Sequence, residues 1–162
     1  MSEHPIAQQI IDILRKEGFW YDAFEHEPVR TSQDAANIRD SYTMQQGAKA
    51  LIVRVKPVGQ AKELVMLVLP GDKQFDGDKV KNLFNTKDIR FATEAEIDTV
   101  THGIKPGGLP PFGNLFNLRV AADPTIFDNE KIIFNAGRNF SIAIESKDYK
   151  RLVNPIIEDI IS

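Results

Sequence analysis

The sequence predicts an α+β fold: a single domain over residues 1–162, with a mixed, largely antiparallel β-sheet surrounded by short helices. Three observations predict it. Two nearly continuous apolar runs, Leu51-Ile52-Val53 and Leu64 to Val68, are joined by turn-forming residues, as expected of paired strands covered on both faces. Further strand-like runs recur from Asn117 onward. The helical segments between them are short and irregularly placed, unlike the strict alternation of a parallel α/β fold. With 42% apolar and 27% charged residues in a chain of 162, there is enough apolar side chain for a real core.

Taken in order, Ile6, Ile10, Ile13 and Leu14 follow helical spacing, with Pro5 suited to the first turn and Gly18 to the stop. Phe19 to Phe24 is aromatic and extended, ending in Glu25-His26-Glu27. Thr31-Ser32-Gln33-Asp34 reads as a helix start leading into Ala35 to Ile38. Ala48 to Val55 and Glu63 to Leu69 are the central strands, and Lys56 to Gln60 carries hairpin chemistry. Asp78 to Phe84 is a short helix and Ile89 to Ala92 a short strand. Thr93-Glu94-Ala95-Glu96 is a capping box that opens a helix through Val100. Strands follow at Asn117 to Ala121, Lys131 to Phe134 and Phe140 to Ile144. Ser146-Lys147-Asp148 caps a last helix through Leu152, and an apolar tail, Ile156 to Ile161, packs on the body or at a dimer contact.

Charge and composition bound the function. A net charge of −3 argues against a protein that coats long stretches of duplex, DNA included, because neutralising many phosphates needs a basic surface. One phosphate gripped by one or two of the twenty Lys and Arg is compatible with it. No apolar run approaches the ~20 residues of a membrane span. The start Met1-Ser2-Glu3-His4-Pro5 has no signal-peptide pattern, so a cytoplasmic protein is expected. Cysteine is absent, which removes disulfides, thiolate metal sites and a cysteine nucleophile.

The chemistry concentrates in three segments. Gly107-Gly108-Leu109-Pro110-Pro111-Phe112-Gly113 is neither helix nor central strand, since two prolines remove donors and fix φ while the glycines reach conformations other residues avoid. It is a stiff loop whose remaining N–H groups suit an anion or a polarised carbonyl, or else an ordinary turn-rich connection. Lys49 stands at the mouth of a central strand, where alternation places it with Leu51 and Val53 and away from Ala48, Ala50 and Ile52. A lysine there either meets an anion or snorkels into water, because an unpaired buried ammonium is costly. Phe134-Asn135-Ala136-Gly137-Arg138 ends a strand in small residues that permit close approach, with Asn135 and Arg138 as polar groups at the edge. His26 between two glutamates admits a divalent metal or a solvated acidic turn. No Gly-x-Ser-x-Gly elbow and no His-x-x-x-His pair is present.

Together these segments resemble the YbaK / prolyl-tRNA synthetase insertion-domain (ProX-like) family of aminoacyl-tRNA deacylases. The resemblance runs through Glu25-His26-Glu27-Pro28 to Ala36, Gln46-Gly47-Ala48-Lys49-Ala50-Leu51, Leu69-Pro70-Gly71-Asp72, Gly107 to Gly113 and Phe134-Asn135-Ala136-Gly137, in that order. It implies an α+β fold and hydrolysis of the ester joining a wrong amino acid to tRNA, with no cofactor and no metal. Lys49 matches the lysine required for deacylation, and Gly107 and Pro111 match the ends of a Gly-x-x-x-Pro loop, so the implied catalytic set is Lys49, Gly107, Gly108 and Pro111. The implied substrate contacts are Thr31, Leu109, Pro110, Phe112, Asn135, Ala136 and Gly137, and Asn135 falls where relatives place Ser or His. The implied partners are the acceptor end of aminoacyl-tRNA and an aminoacyl-tRNA synthetase, with no membrane and no DNA. A free-standing, trans-editing member is expected. The alternative is a non-catalytic module of the same fold that binds tRNA ends or a synthetase. The chemistry suits the family: an aminoacyl ester is already activated, so main-chain donors and a positioned cation suffice without a triad.

Overall fold

The computed structural model describes residues 5–27 and 41–162. The helical repeat at the start forms α1 (Pro5–Glu17), which buries Ala7, Ile10, Ile11 and Leu14 and stops at Gly18 with φ +73°. Strand β1 (Tyr21–Glu25) follows, then the hairpin of β2 (Ala48–Pro57) and β3 (Glu63–Pro70). Helix α2 (Gly77–Phe84), β4 (Thr86–Phe91) and α3 (Glu94–Thr101) lead into the Gly/Pro loop. Beyond it come β5 (Arg119–Ala122), β6 (Lys131–Asn135), β7 (Phe140–Glu145), α4 (Ser146–Val153) and β8 (Ile156–Ile157), with 3₁₀ turns at Gly113–Phe116 and Pro124–Asp128.

The strands form a five-stranded sheet, β4-β2-β3-β5-β8, and a three-stranded sheet, β1-β7-β6. Pairing is antiparallel except for β3 with β5 and β5 with β8, as the sequence leads one to expect of a mixed, largely antiparallel architecture. A parallel bridge between Gly47 and Ile133 joins the two sheets, and the Ile133 N–H donates to the Gln46 carbonyl at 3.0 Å.

Both faces of β2 and β3 are covered. Ala48, Ile52, Met66 and Val68 feed a larger core shared with α1, β6, β7 and α4. Val53, Val55, Val65, Leu67 and Leu69 feed a smaller one closed by Val80, Phe84 and Ile160. Burial of each Val, Leu, Ile, Met or Phe side chain among these contributes about 1.5–3 kcal/mol, so the hairpin is stabilised from both sides.

Local chemistry sets the element ends, in places differently from the sequence expectation. The capping box of α3 is present: Thr93 Oγ1 accepts from the Glu96 N–H at 3.1 Å and Glu96 Oε1 from the Thr93 N–H at 2.9 Å. Strand β4 begins before Ile89, at Thr86, whose hydroxyl oxygen accepts from the Lys56 N–H at 3.0 Å where β2 shifts register. Ser146 does not cap α4; it is the first helical residue, and its hydroxyl donates to the Asn129 carbonyl at 2.6 Å. The helix expected from Thr31 lies outside the described residues.

The apolar tail packs on the body. β8 adds to β5, Ile160 is fully buried, and Phe75 bridges to Ile161. Asp123 fixes this closure from inside: it is 1% exposed and accepts from the Thr125 N–H (3.0 Å), the Thr125 hydroxyl (2.5 Å) and the Ile160 N–H (2.9 Å). Asp123→Ala strands those donors and is expected to lower the unfolding free energy by about 2–4 kcal/mol. The measurement is the urea midpoint at unchanged slope, and a wild-type midpoint would show that the tail is held without this carboxylate.

Candidate active site

The Gly/Pro loop is held by its carbonyls. Helix α3 ends with His102 in the left-handed region (φ 58°), and Gly107 adopts φ +85°, which a side chain would strain. The Gly107 carbonyl accepts from Asn135 Nδ2 at 2.8 Å, and the Gly108 carbonyl from the Gly137 N–H at 2.8 Å. The Pro111 carbonyl accepts from the Tyr149 hydroxyl at 2.7 Å. Tyr149 is fully buried, and that burial raises the phenol's pKa and keeps it a donor. Gly108 must lack a side chain, because a Cβ there would lie 2.8 Å from the Arg138 nitrogen and 2.9 Å from the Gly137 carbonyl carbon.

With the Gly107, Gly108 and Pro111 carbonyls committed, the amides decide what the loop offers. Pro110 and Pro111 have none, and the Gly108 N–H donates to the Lys105 carbonyl at 3.0 Å. The N–H groups of Gly107 and Leu109 make no hydrogen bond among the described residues. The buried Phe112 and Gly113 amides are likewise unbonded there, so Gly107 and Leu109 carry the half-buried pair that suits a polarised carbonyl or an oxyanion.

The structure moves several expected contacts behind the surface. Phe112 is 1% exposed, with its ring 5.3 Å from that of Phe134 and 5.6 Å from that of Tyr149. Ala136 is fully buried, and Pro110 and Pro111 are buried as well. Pro110, Phe112 and Ala136 were expected as substrate contacts and Pro111 as the end of the catalytic loop; all four are buried, because the loop turns inward at Pro110 to reach the larger core. Leu109, Asn135 and Gly137 are half-buried and stand at the rim. Thr31 lies outside the described residues.

Lys49 and Asn135 share a face. Residues paired across a parallel bridge point the same way, and each of these two lies two positions beyond the Gly47–Ile133 bridge. Consistently, the neighbours that point the other way, Ala48 on β2 and Ile132 and Phe134 on β6, all enter the larger core. The ammonium of Lys49 is engaged within the protein rather than left to water. It donates to the Lys73 carbonyl, in the turn after β3, where an acceptor lies within reach of its stem. Partial burial lowers the pKa of this lysine, and the nearby Asp72 charge opposes that shift.

Behind Asn135 runs a polar chain that sequence reasoning missed. Ser141, fully buried, donates to Asn135 Oδ1 at 3.3 Å, and its oxygen lies 2.6 Å from His26 Nε2. The other ring nitrogen of His26 lies 2.7 Å from the Glu27 carbonyl, so both nitrogens engage protein groups. The loop's need for donors was the available signal for Tyr149 and Ser141, but nothing local identifies which donor answers it. Among the described residues, no three of His, Cys, Asp and Glu gather in a way that suits a metal. No helix among them is long and apolar enough to cross a membrane.

Residues 26–152 match the family model of the aminoacyl-tRNA editing domain. The chain is 33% identical over 150 residues to the multifunctional Ser/Thr-tRNA deacylase ProXp-y of Escherichia coli (strain K12), covering 91% of this chain and 88% of that protein. It is 34% identical over 91 residues to the proline–tRNA ligase of Bordetella petrii, covering 56% of this chain but 16% of the ligase. A crystal structure described as a candidate trans-editing enzyme for prolyl-tRNA synthetase superposes with a TM-score of 0.81 at 21% identity, over 99% of each chain, which shows the shared fold. By sequence and by fold, this chain belongs to the aminoacyl-tRNA editing domain family.

Proposed function

We propose that the protein is a free-standing, trans-editing deacylase of the cytoplasm, acting as one domain over residues 1–162. Its reaction is hydrolysis of the ester that joins a mischarged small amino acid, serine or threonine foremost, to tRNA. Family membership supports the reaction class. The near full-length match to a Ser/Thr-tRNA deacylase, against a match to a small part of a proline–tRNA ligase, supports the free-standing reading and the hydroxyl-bearing substrate. The observation that carries the mechanism is the loop with its Gly107, Gly108 and Pro111 carbonyls tied down and the Gly107 and Leu109 amides still available.

In this reading the ester carbonyl lies against those amides. Water adds to the carbonyl carbon, negative charge develops on its oxygen, and the two N–H groups stabilise it. The ribose oxygen then leaves with a proton, giving free amino acid and tRNA. Each donor of this kind is worth about 3–4 kcal/mol in other enzymes. Gly108 and Pro111 keep the donors in place rather than donate. Lys49 leaves the Lys73 carbonyl to hold a phosphate or the polarised carbonyl from the Asn135 side. Leu109, Asn135 and Gly137 contact the aminoacyl group, Phe112, Pro110 and Ala136 support them, and Thr31 completes the contacts. A synthetase needs such help because one methylene gives only ~1–3 kcal/mol of discrimination. A synthetase partner that hands over the acceptor end fits the same role.

The test is hydrolysis across a panel of aminoacyl-tRNAs, with Ser-tRNA and Thr-tRNA cleaved fastest. Binding of a non-hydrolysable aminoacyl-adenosine with no turnover on any tRNA would favour a binding module instead. Lys49→Ala is expected to lower kcat/KM by about 10²-fold or more while the melting temperature stays close to wild type; equal activity would remove Lys49 from the site. Gly108→Ala forces the loop off the 137–138 backbone and is expected to cost about 1–3 kcal/mol of stability and most of the deacylation. Wild-type turnover in that variant, in a standard steady-state assay, would show that the seat of the loop is immaterial.

A further inference from the structure

We propose that Arg138 grips the substrate's phosphodiester: its guanidinium binds the phosphate on the 5′ side of the ribose that carries the ester. The proposal rests on the deacylase reading and names the part of the tRNA end that the site holds. Among the described residues, two side-chain nitrogens are sealed from solvent without a hydrogen-bond partner, Arg54 Nε and Arg138 Nε. Arg54 stands in the middle of β2, paired in register with Arg90 of β4. Arg138 stands in the turn between β6 and β7, against the Gly/Pro loop, so of the two it is the one that borders the site.

The fold fixes where that cation starts. The Gly137 N–H donates to the Gly108 carbonyl at 2.8 Å, and a Cβ on Gly108 would come within 2.8 Å of the Arg138 backbone nitrogen. Gly137 adopts φ +101°, and the Ala136 N–H closes the turn on the Phe140 carbonyl at 2.9 Å. Gly108 is flanked by Gly107 and Leu109, whose amides receive the ester carbonyl. The backbone that carries Arg138 is therefore anchored to the donor loop itself. Its side chain is anchored to nothing: the half-buried Arg138 makes no ion pair and no side-chain hydrogen bond among the described residues.

A guanidinium in this state is set to move. Packing alone holds it, and its Nε forgoes water without gaining an acceptor, which costs free energy. The loop carbonyls of Gly107, Gly108 and Pro111 already accept from Asn135, Gly137 and Tyr149. An anion from outside meets the need. Swung toward the rim, the planar fork offers its Nε–H and a terminal N–H to two oxygens of one phosphate at once. The chemistry of the substrate decides which anion that is. An aminoacyl group carries an α-ammonium, which a guanidinium repels. The anion nearest the ester is the phosphodiester that joins the terminal ribose to the nucleotide before it. With the phosphate held by Arg138, Lys49 is left to the polarised carbonyl.

The experiment compares two minimal substrates, the seryl esters of adenosine and of adenosine 5′-(methyl phosphate), which differ by one phosphodiester. In wild-type protein the phosphodiester should raise kcat/KM about 10–100-fold, the value of hydrogen bonds to a charged group. In Arg138→Ala the ratio of the two kcat/KM values should fall to about 1. Lys49→Ala should slow both esters alike and keep the wild-type ratio. With Ser-tRNA, Arg138→Ala should make the fall of log kcat/KM with log salt shallower by about 0.7, the share of one phosphate on a single strand. A readout without turnover is the Arg138 Nε–H signal of ¹⁵N-labelled wild-type protein, which should move on adding adenosine 5′-(methyl phosphate) and stay in place on adding adenosine. A wild-type ratio retained in Arg138→Ala, a ratio lost in Lys49→Ala, or the same Nε–H response to both nucleosides would overturn the proposal. If wild-type protein hydrolyses neither ester nor any aminoacyl-tRNA, the deacylase reading fails, and the Nε–H signal still decides whether Arg138 binds the phosphate.

Discussion

A loop with two adjacent prolines has more carbonyls than amides, and every buried carbonyl must find a donor elsewhere. That imbalance organises the site. Donors come from three different elements: the side chain of Asn135 at the end of β6, the main chain of Gly137 in the next turn, and the phenol of Tyr149 on α4. Each ties the loop to a part of the molecule that packs on the larger core. Committed acceptors at Gly107, Gly108 and Pro111 hold the loop, and its remaining amides become useful for the same reason. Rigidity of this kind is what a preorganised donor pair needs, since nothing has to rearrange when charge develops beside it.

The central hairpin supplies the second condition. β2 is covered on both faces along most of its length, and the cover thins near its start, where Lys49 emerges. A cation in that position meets a rim rather than a core. Its bond to the Lys73 carbonyl satisfies the ammonium in the absence of an anion, at a place where partial burial already works against the charge. A lysine held this way gives up less hydration on meeting a phosphate than one fully surrounded by water.

Much of this is written locally in the chain. The two-faced strands follow from apolar runs, the α3 start from Thr93 and Glu96, and the special loop from its glycines and prolines, all features that act over a few residues. The parity of Lys49 with Leu51 and Val53 is likewise short-range. What the sequence does not display is pairing at a distance. Tyr149 lies 38 residues from Pro111, and His26 lies 115 residues from Ser141, so no spacing rule joins them. Ser146 illustrates the converse error: a residue with good capping chemistry is drawn to a distant carbonyl, Asn129, and the helix begins without it. Phe112 illustrates another, since a loop position says nothing of which way an aromatic ring turns.

The two sheets are joined by the bridge of Gly47 to Ile133, and both polar rim residues sit just past it on strands that run side by side. Such a joint is a fulcrum. A small change in the splay of the sheets leaves the joint where it is and opens or narrows the gap between Lys49 and Asn135 like the jaws of a caliper. The width available to an amino-acid side chain is then a matter of how the sheets lean, and residues far from the rim can tune it by altering how the larger core is filled.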